Sequence, residues 1–409
     1  MRKVVVTGMG GVTALGHDWP TISGALRGGR TAIRSMSPDW DRFEGVNTRL
    51  AAPVLDFATP ERWPRKKVRT MGRVASMAVA ASERALADAG LLNDPVLSGG
   101  RAGAAFGSSF GSPDSVLGFY ELKMSGKSRN LNATTYIQMM SHTALVNIGL
   151  FFGLTGRMIP TSNACASASQ AIGFAAEAIK WGKADIMVAG GAEELDITDS
   201  AVFDTLFATS TRNDTPHLSP RPFDRDRDGL VIGEGAGVLI LEEYHRAKAR
   251  GATIYAEVAG YGTNADGNHV TQPQPQTMEV ALRLALEDAG IPPEAIGLVN
   301  GHGTATEGGD MAEAAATAAV FGPRVPIHSL KSYFGHSLGA CGGIEAWLGI
   351  QMMREGWCCP TANLDNVDPR CAELDHIQGT VRRLDVEYLM SNNFAFGGVN
   401  ASLVFRRIS

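Results

Sequence analysis

The strongest constraint on the fold of this chain is a seven-residue segment that occurs twice. Residues 85–91 read ALADAGL, and residues 285–291 read ALEDAGI. In each copy leucine and alanine recur at helical spacing, and the closing glycine suits a left-handed helix end. A helix of the same design is therefore predicted in both halves of the chain.

The flanks of the two segments match as well. A strand pattern that ends in glycine-rich turns precedes each copy, at residues 4–10 and 254–262. A short apolar strand pattern follows each copy, at residues 104–107 and 298–303. The shared order of strand, helix and strand indicates two similar α/β units with mostly buried sheets. The alternative is coincidence between two helices rich in alanine and leucine, which the matching flanks disfavour.

Composition narrows the class of protein. The chain is 44% hydrophobic and 19% charged, which indicates a globular α/β enzyme. Its formal net charge of -5 argues against a nucleic-acid partner, because neutralising phosphates requires a basic excess. No apolar stretch is long enough to span a membrane, and no signal-peptide core follows the first residue. The five cysteines include no CxxC pair, so neither a disulfide framework nor a zinc site is predicted, and we expect a cytoplasmic protein.

Cys165 lies in the segment TSNACASAS at residues 161–169. It follows a predicted strand and opens an alanine-rich helical pattern over residues 166–181. At a helix N-terminus the partial positive charge and the free N–H groups favour a thiolate and can hold a developing oxyanion. Position alone leaves open a second interpretation, a small cysteine buried in the core.

Two histidines lie in glycine-flanked segments. His302 is in NGHGTAT at residues 300–306, and His336 is in KSYFGHSLGA at residues 331–340. Glycine permits close backbone approach and unusual dihedral angles, so both segments are predicted to be sharp loops at strand ends that present an imidazole. One such histidine is often structural. Two of them, together with Cys165, favour a catalytic site.

Together these segments resemble the β-ketoacyl-acyl carrier protein synthases, with Cys, His, Lys and His in that order. The segments NDTP at residues 213–216, FDRDRDG at residues 223–229 and SNNFAFGGVN at residues 391–400 extend the resemblance over nearly the whole chain. It implies the thiolase fold, in which duplicated α/β halves form five αβαβα layers. By this resemblance residues 1–250 form the half with the nucleophilic cysteine, and residues 251–409 form the half with the histidines.

The resemblance also implies a reaction. Cys165 would take an acyl group from a carrier protein, and malonyl-carrier protein would lose carbon dioxide beside His302 and His336. The backbone N–H groups of Cys165 and Phe396 would form the oxyanion hole. No metal and no organic cofactor is implied, because the substrates carry phosphopantetheine through the carrier protein.

Further site residues follow from the same resemblance. Lys331 and Glu345 would support the histidines electrostatically, although a solvated surface face is the ordinary interpretation of such residues. The residues predicted to contact substrate are Thr304, Thr306, Phe110, Phe394, His269 and Asp310. Phe396 would also gate the acyl pocket.

Phe110 is the main departure from the family pattern, because the family's fatty-acid elongating types I and II have a smaller residue there. A bulky ring would shorten or reshape the pocket, or stack on an unsaturated or aromatic chain. The substrate class therefore stays open among fatty acyl, polyene and polyketide chains.

The basic run that contains Arg65, Lys66 and Arg69 resembles a docking helix for an acidic carrier protein, and a solvated helix face is the alternative. The family also implies a dimer, either of identical chains or with a related chain-length subunit.

Three other functions share the fold. A catalytically silent chain-length subunit would lack the nucleophile, so Cys165 with both histidines argues against it. A thiolase acting on free coenzyme A esters would need a second cysteine in a C-terminal glycine-rich loop, and Cys341 lies in the wrong motif. A type III initiating synthase is disfavoured because it has asparagine where this chain has His336.

Overall fold

The computed structural model describes residues 1–129 and 131–408. Asn130 and Ser409, which fall within the two predicted halves, lie outside the described residues. The described strands are β1 (Val4–Thr13), β2 (Arg34–Ser35), β3 (Leu50–Ala52), β4 (Ala102–Gly107), β5 (Met158–Thr161), β6 (Ile186–Glu193), β7 (Ile232–Gly233), β8 (Gly235–Glu243), β9 (Ala256–Ala265), β10 (Ile296–Asn300), β11 (Pro326–His328), β12 (Trp357–Cys358), β13 (Asp375–His376), β14 (Arg382–Arg383), β15 (Tyr388–Ala395) and β16 (Val399–Arg407).

The helices alternate with the long strands, as expected for α/β units. They are α1 (Trp19–Arg27), α2 (Arg65–Val68), α3 (Arg73–Asp88), α4 (Leu117–Ser125), α5 (Ala133–Met139), α6 (Thr143–Phe152), α7 (Ser167–Lys180), α8 (Ile197–Asp204), α9 (Tyr244–Ala249), α10 (Pro275–Ala289), α11 (Glu307–Phe321), α12 (Lys331–Phe334) and α13 (Cys341–Glu355). None of these described helices is long and apolar enough to cross a membrane.

The large sheet consists of two halves with the same internal order. Its strands follow the order β13-β11-β10-β15-β16-β9-β1-β8-β6-β4-β5, and β1 pairs with β9 antiparallel where the halves meet. Reading outward from that junction, β1, β8, β6, β4 and β5 correspond to β9, β16, β15, β10 and β11. In the first half β5 pairs parallel with β4, and in the second half β11 pairs parallel with β10. This order shows the duplication that the repeated segment predicts.

The helices form layers on both sides of the two half-sheets. α7 packs against strands of its own half and against β9 and β16 of the other, and α13 likewise contacts β8 and β15. α3 and α6 cover the outer face of the first half, and α10 and α11 cover the second. The five αβαβα layers of the predicted thiolase fold are therefore confirmed, with α7 and α13 in the central layer.

The repeated aspartate has the same task in both halves. Asp88 accepts a hydrogen bond from the Met9 backbone N–H at 2.8 Å, and Asp288 accepts one from the Tyr261 N–H at 2.9 Å. Both donors lie next to a register shift in a central strand, where a bulge frees a backbone group from the ladder. The carboxylate satisfies that group, which would otherwise be costly to bury.

The glycines of the flanking strands explain why these helices lie so close to the sheet. A Cβ on Gly8 would stand 2.3 Å from the Ala85 carbonyl oxygen, and a Cβ on Gly260 would stand 2.2 Å from that of Ala285. Only glycine permits such an approach of strand to helix. The strand and helix motifs of each half are thus parts of one packing unit.

Candidate active site

Cys165 lies where the first half meets the central layer. It is the middle residue of the turn Ala164–Ala166, between β5 and the 14-residue helix α7. Ala164 has φ of 45°, a left-handed value that directs the chain sharply into the helix. Cys165 is therefore held at a helix N-terminus with 3% of its surface exposed.

The structure brings both predicted histidines to this cysteine. His336 Nε2 lies 2.9 Å from Cys165 Sγ. The rings of His302 and His336 are 5.2 Å apart and nearly perpendicular. All three residues line a cavity of about 470 Å³ that opens to solvent.

The hydrogen bonds of the two histidines fix which nitrogen carries the proton. The Leu338 backbone N–H donates to His336 Nδ1 at 3.2 Å, and the Asn393 side-chain amide donates to His302 Nδ1 at 3.4 Å. Because Ser169 donates to the Asn393 carbonyl oxygen, the amide nitrogen faces His302. Each neutral ring therefore has its proton on Nε2, facing the cavity.

Lys331 and Glu345 lie directly behind the histidines. Lys331 Nζ donates to Glu345 Oε1 at 2.5 Å, and both side chains are fully buried. Glu345 Oε2 accepts the Asn393 amide at 2.9 Å. The predicted support of the histidines by Lys331 and Glu345 therefore reaches His302 through Asn393.

Burial is the main cause of the pKa shifts of Cys165, His302 and His336. Burial raises the pKa of the Cys165 thiol to about 11, although the backbone N–H groups of Phe396 and Cys165 and the Lys331 charge oppose that shift. Burial also lowers the pKa of His302 and His336 well below its usual value, and the Lys331 cation lowers both further. Burial alone would lower the pKa of Lys331, but Glu345 raises it above its usual range. The resting site thus has a neutral thiol, two neutral imidazoles and a buried cation.

Two backbone N–H groups interact favourably with negative charge on the sulfur. Those of Phe396 and Cys165 both favour the Cys165 thiolate and so oppose the rise in the pKa of the thiol. Such donors are suited to stabilise an oxyanion on a carbonyl carbon bound to this sulfur. The Phe396 ring packs edge-on against Phe203, with ring centroids 5.7 Å apart, at the mouth of the cavity.

Most of the predicted substrate contacts line the cavity. Thr304, Thr306, His269 and Phe394 are all on its wall. The Thr304 and Thr306 hydroxyls lie 2.9 Å apart, so the pair presents two adjacent polar groups. The exposed His269 ring accepts a hydrogen bond from the Thr271 backbone N–H at 3.1 Å.

Asp310 does not line the cavity, in contrast to its predicted substrate contact. Its fully buried carboxylate accepts backbone N–H groups from Thr304 at 3.0 Å, Ala305 at 3.1 Å and Phe223 at 2.7 Å. Both carboxylate oxygens of Asp310 therefore already accept hydrogen bonds from the protein backbone. We therefore assign Asp310 to holding the loop that carries the two threonines.

Phe110 also lies outside the cavity that contains Cys165. Its side chain is 43% exposed on a loop after β4. Within a single chain the prediction that Phe110 lines the acyl pocket is therefore not met. Phe110 is instead partly exposed at the surface.

The predicted docking residues are exposed. Arg65 and Lys66 are in the four-residue helix α2, and Arg69 follows it. Arg73, in the same basic run, is different because it pairs with Glu234 at 2.8 Å. The free cations of this run are thus on one short surface segment.

Asn393 and Glu313 are two site residues that the sequence did not predict. Glu313 accepts the backbone N–H groups of His302 at 2.6 Å and Gly303 at 2.7 Å, which fixes the loop that presents the histidine. Glu313 lies three residues after Asp310 in α11, a spacing that puts both side chains on the same face of the helix. That spacing could have indicated Glu313 from the sequence. Asn393 lay inside a recognised motif, but only the folded chain shows its contacts.

Cys165, His302 and His336 also have ligand atoms within 4.8 Å of one another, as a metal site would require. A histidine binds a metal through an unprotonated ring nitrogen. Here Nδ1 of each ring already accepts a hydrogen bond, so Nε2 carries a proton and offers no lone pair. The donor set therefore does not fit a metal ion.

Comparisons with known proteins agree on one family. Residues 1–247 match the model of the β-ketoacyl synthase N-terminal domain, and residues 255–365 match that of the C-terminal domain. The chain is 37% identical to 3-oxoacyl-[acyl-carrier-protein] synthase 2 of Vibrio cholerae, over 100% of this chain and 99% of the relative.

Solved structures give the same result. A β-ketoacyl synthase from Burkholderia phymatum is 60% identical, with a TM-score of 0.99 and full coverage of both chains. The ishigamide ketosynthase/chain length factor is 32% identical, with a TM-score of 0.89 and full coverage of both chains.

Proposed function

Because this chain belongs to the β-ketoacyl synthase family, we propose that it condenses malonyl-carrier protein with an acyl group held on Cys165. The observation that carries the proposal is the meeting of Cys165 Sγ, the His336 Nε2–H at 2.9 Å and His302 in one cavity at a helix N-terminus. The enzyme is an acyltransferase that performs a decarboxylative Claisen condensation.

In the first half-reaction the Cys165 sulfur attacks the thioester carbonyl of an acyl-carrier protein. The oxygen of the tetrahedral intermediate accepts hydrogen bonds from the Cys165 and Phe396 N–H groups. Collapse of the intermediate breaks the bond to the carrier's sulfur, which leaves with the proton lost by Cys165. Thr304 and Thr306 hydrogen-bond the arm that brings the thioester in, a role supported by their position on the cavity wall.

In the second half-reaction malonyl-carrier protein enters the same cavity. Its carboxylate leaves as carbon dioxide, and the electron pair of the broken C–C bond forms an enolate. His302 and His336 each donate an Nε2–H to the enolate oxygen, which requires that both rings stay neutral. Burial, and then the Lys331 cation, maintain that state by lowering the pKa of both rings.

The enolate carbon then attacks the acyl carbonyl on Cys165. The same two backbone N–H groups stabilise the second tetrahedral intermediate. Its collapse expels the Cys165 thiolate, which takes a proton from solvent and returns to the neutral thiol. The products are a 3-oxoacyl-carrier protein and carbon dioxide. No step in this sequence calls for a metal or an organic cofactor.

The alternatives of a silent subunit and of a thiolase are less well supported. A silent chain-length subunit has no use for a nucleophile and two oriented imidazoles. A thiolase needs a second cysteine facing the substrate, but Cys341 is fully buried and its thiol donates to the Cys165 carbonyl at 3.3 Å. Cys341 is also not on the cavity wall.

We propose fatty acyl, polyene or polyketide chains as substrates, carried by an acidic carrier protein that docks at Arg65, Lys66 and Arg69. We also propose a cytoplasmic dimer, of identical chains or with a related chain length factor. The dimer is supported by apolar side chains exposed on α4, α5 and α6, namely Leu117, Tyr120, Met124, Tyr136 and Leu150.

The proposed reaction is tested by product analysis. The purified protein is incubated with acyl-carrier protein and malonyl-carrier protein, and 3-oxoacyl-carrier protein and carbon dioxide are measured. We expect both products from the wild type and neither from Cys165→Ala, with Cys371→Ser, at a cysteine that does not line the cavity, as the control. Condensation of free acetyl-coenzyme A without decarboxylation would instead support the thiolase.

A further inference from the structure

The duplication gives the Cys165 turn a counterpart in the second half. Residues 338–340 form the same kind of turn before α13 as Ala164–Ala166 form before α7. Leu338 has φ of 43°, and Ala164 has φ of 45°, so the two turns share an unusual backbone conformation. Gly339 is therefore the structural counterpart of Cys165.

A carboxylate fills the space that a side chain would take at this second turn. Glu193 Oε2 accepts the backbone N–H groups of Gly339 and Ser109, each at 2.8 Å. Its Oε1 accepts the Ser108 hydroxyl at 3.1 Å and the Phe110 N–H at 3.4 Å. A Cβ on Gly339 would stand 2.8 Å from Oε2. The absent side chain thus makes room for the carboxylate.

The surroundings of Glu193 correspond to those of the nucleophile. Ser109 is the second residue after β4, just as His302 is the second residue after the equivalent strand β10. The Glu193 carboxylate therefore lies between the counterparts of Cys165 and His302. A buried anion there is bound by backbone N–H groups, as an oxyanion is in the true site.

We propose that Glu193 permanently occupies a degenerate second copy of the active-site scaffold and, through the Leu338–Gly339 turn, positions His336 for the condensation. The inference rests on the proposed function. Glu193 fixes the Gly339 N–H, and the preceding Leu338 N–H donates to His336 Nδ1 at 3.2 Å. Loss of the carboxylate removes the acceptor that fixes this turn, and the His336 ring then loses its fixed orientation.

The contacts indicate that Glu193 acts by accepting hydrogen bonds. In Glu193→Gln the side-chain oxygen can still accept the Gly339 and Ser109 N–H groups, while the amide nitrogen donates to the Ser108 hydroxyl. Glu193→Ala leaves the two N–H groups without a partner. Gln should therefore substitute for Glu, whereas Ala should not.

The test separates the two half-reactions, since the proposed mechanism gives His336 a role in decarboxylation and none in the acylation of Cys165. We expect Glu193→Ala to lower carbon dioxide release from malonyl-carrier protein by about 100-fold, the cost of a misplaced catalytic group. Acylation of Cys165 should be unchanged, and Glu193→Gln should release carbon dioxide near the wild-type rate. Added formate should restore part of the rate in Glu193→Ala by refilling the anion position.

The matched control is Glu194→Ala, which removes the adjacent carboxylate from the Val74 N–H at 2.9 Å and the Ser112 hydroxyl at 2.7 Å. Formate should not raise its decarboxylation rate. If Glu193→Ala does not fold, Glu193→Asp, whose shorter side chain draws the carboxylate away from the Gly339 and Ser109 N–H groups, should give the selective loss of decarboxylation.

Wild-type decarboxylation in Glu193→Ala, or equal loss of both half-reactions in the folded variant, would overturn the role of Glu193. An inactive wild type would instead overturn the proposed function.

Discussion

The protonation of Cys165 follows from where its sulfur is buried. Burial disfavours the thiolate and raises the pKa of the thiol to about 11, while the Phe396 N–H, the Lys331 charge and the Cys165 N–H offset only part of the effect. The neighbouring His336 cannot act as a cation because burial and Lys331 lower its pKa. The nucleophile therefore differs from a thiolate-imidazolium pair, and its charge develops mainly as the substrate arrives.

The pH dependence of Cys165 alkylation tests this protonation state. A raised pKa keeps the thiol protonated at neutral pH, so the thiolate fraction grows about tenfold per pH unit below that pKa. We expect the rate of Cys165 modification by iodoacetamide, followed by peptide mass spectrometry, to rise continuously from pH 7 to pH 10. A rate that is already constant at pH 7 would show a thiolate-imidazolium pair instead.

Replacing Lys331 should reveal the cost of an unpaired buried charge. In Lys331→Met the buried Glu345 loses its partner, and we expect the free energy of unfolding in urea to fall by about 3–5 kcal/mol. The double variant Lys331→Met with Glu345→Leu should recover most of this stability but not the activity. As a matched control, Arg283→Met breaks the exposed pair with Glu279 and should cost less than about 1 kcal/mol. A similar loss of unfolding free energy in Lys331→Met and Arg283→Met would contradict the assignment of Lys331 and Glu345 as a buried ion pair.

At the scale of elements, the sequence predicts the parts of the fold that depend on neighbouring residues. The repeated helices α3 and α10, the turn before α7 and the glycine-flanked histidine loops follow from local patterns of spacing and glycine. Contacts between distant segments could not be predicted in this way. Asn393 reaches Glu345 and His302 from another strand, and Glu193 reaches Gly339 across the two halves.

The same limit explains Asp310 and Phe110. Asp310 has a site-like position in the sequence, but the folded loop turns its carboxylate toward backbone N–H groups. Phe110 follows strand β4, yet it is partly exposed at the surface and does not line the cavity that contains Cys165. The direction of a side chain on a loop depends on tertiary packing, which spacing alone does not encode.

The equivalence of the two halves makes a prediction at this scale. Asp88→Ala and Asp288→Ala each leave a nearly buried backbone N–H unsatisfied at the same place in the repeat. We expect each change to lower the free energy of unfolding by about 1–3 kcal/mol, measured by urea denaturation. Asp385→Ala, at a side chain that is 85% exposed, should change it by less than about 0.5 kcal/mol. A large effect in only one half would contradict the common role.

At the scale of the whole molecule, a net charge of -5 is combined with a local cationic segment. Lys66→Glu and Arg69→Glu reverse that segment, so we expect a higher KM for carrier-bound substrates with little change in kcat. The difference from wild type should shrink at high ionic strength, because salt screens exposed charges. Arg383→Glu, at an exposed position on β14, serves as the control for general charge reversal. An unchanged KM in the first two variants would contradict docking at this surface.

The central claim is that Cys165 carries the acyl chain during condensation, and intact-protein and peptide mass spectrometry test it most directly. The purified protein is incubated first with a series of acyl-carrier proteins and then with malonyl-carrier protein. We predict that an acyl mass appears on the peptide containing Cys165, and that malonyl-carrier protein removes it as the 3-oxoacyl product. The chain that loads best also identifies the substrate class. Acyl mass on another residue, or no acylation from any carrier, would contradict the account.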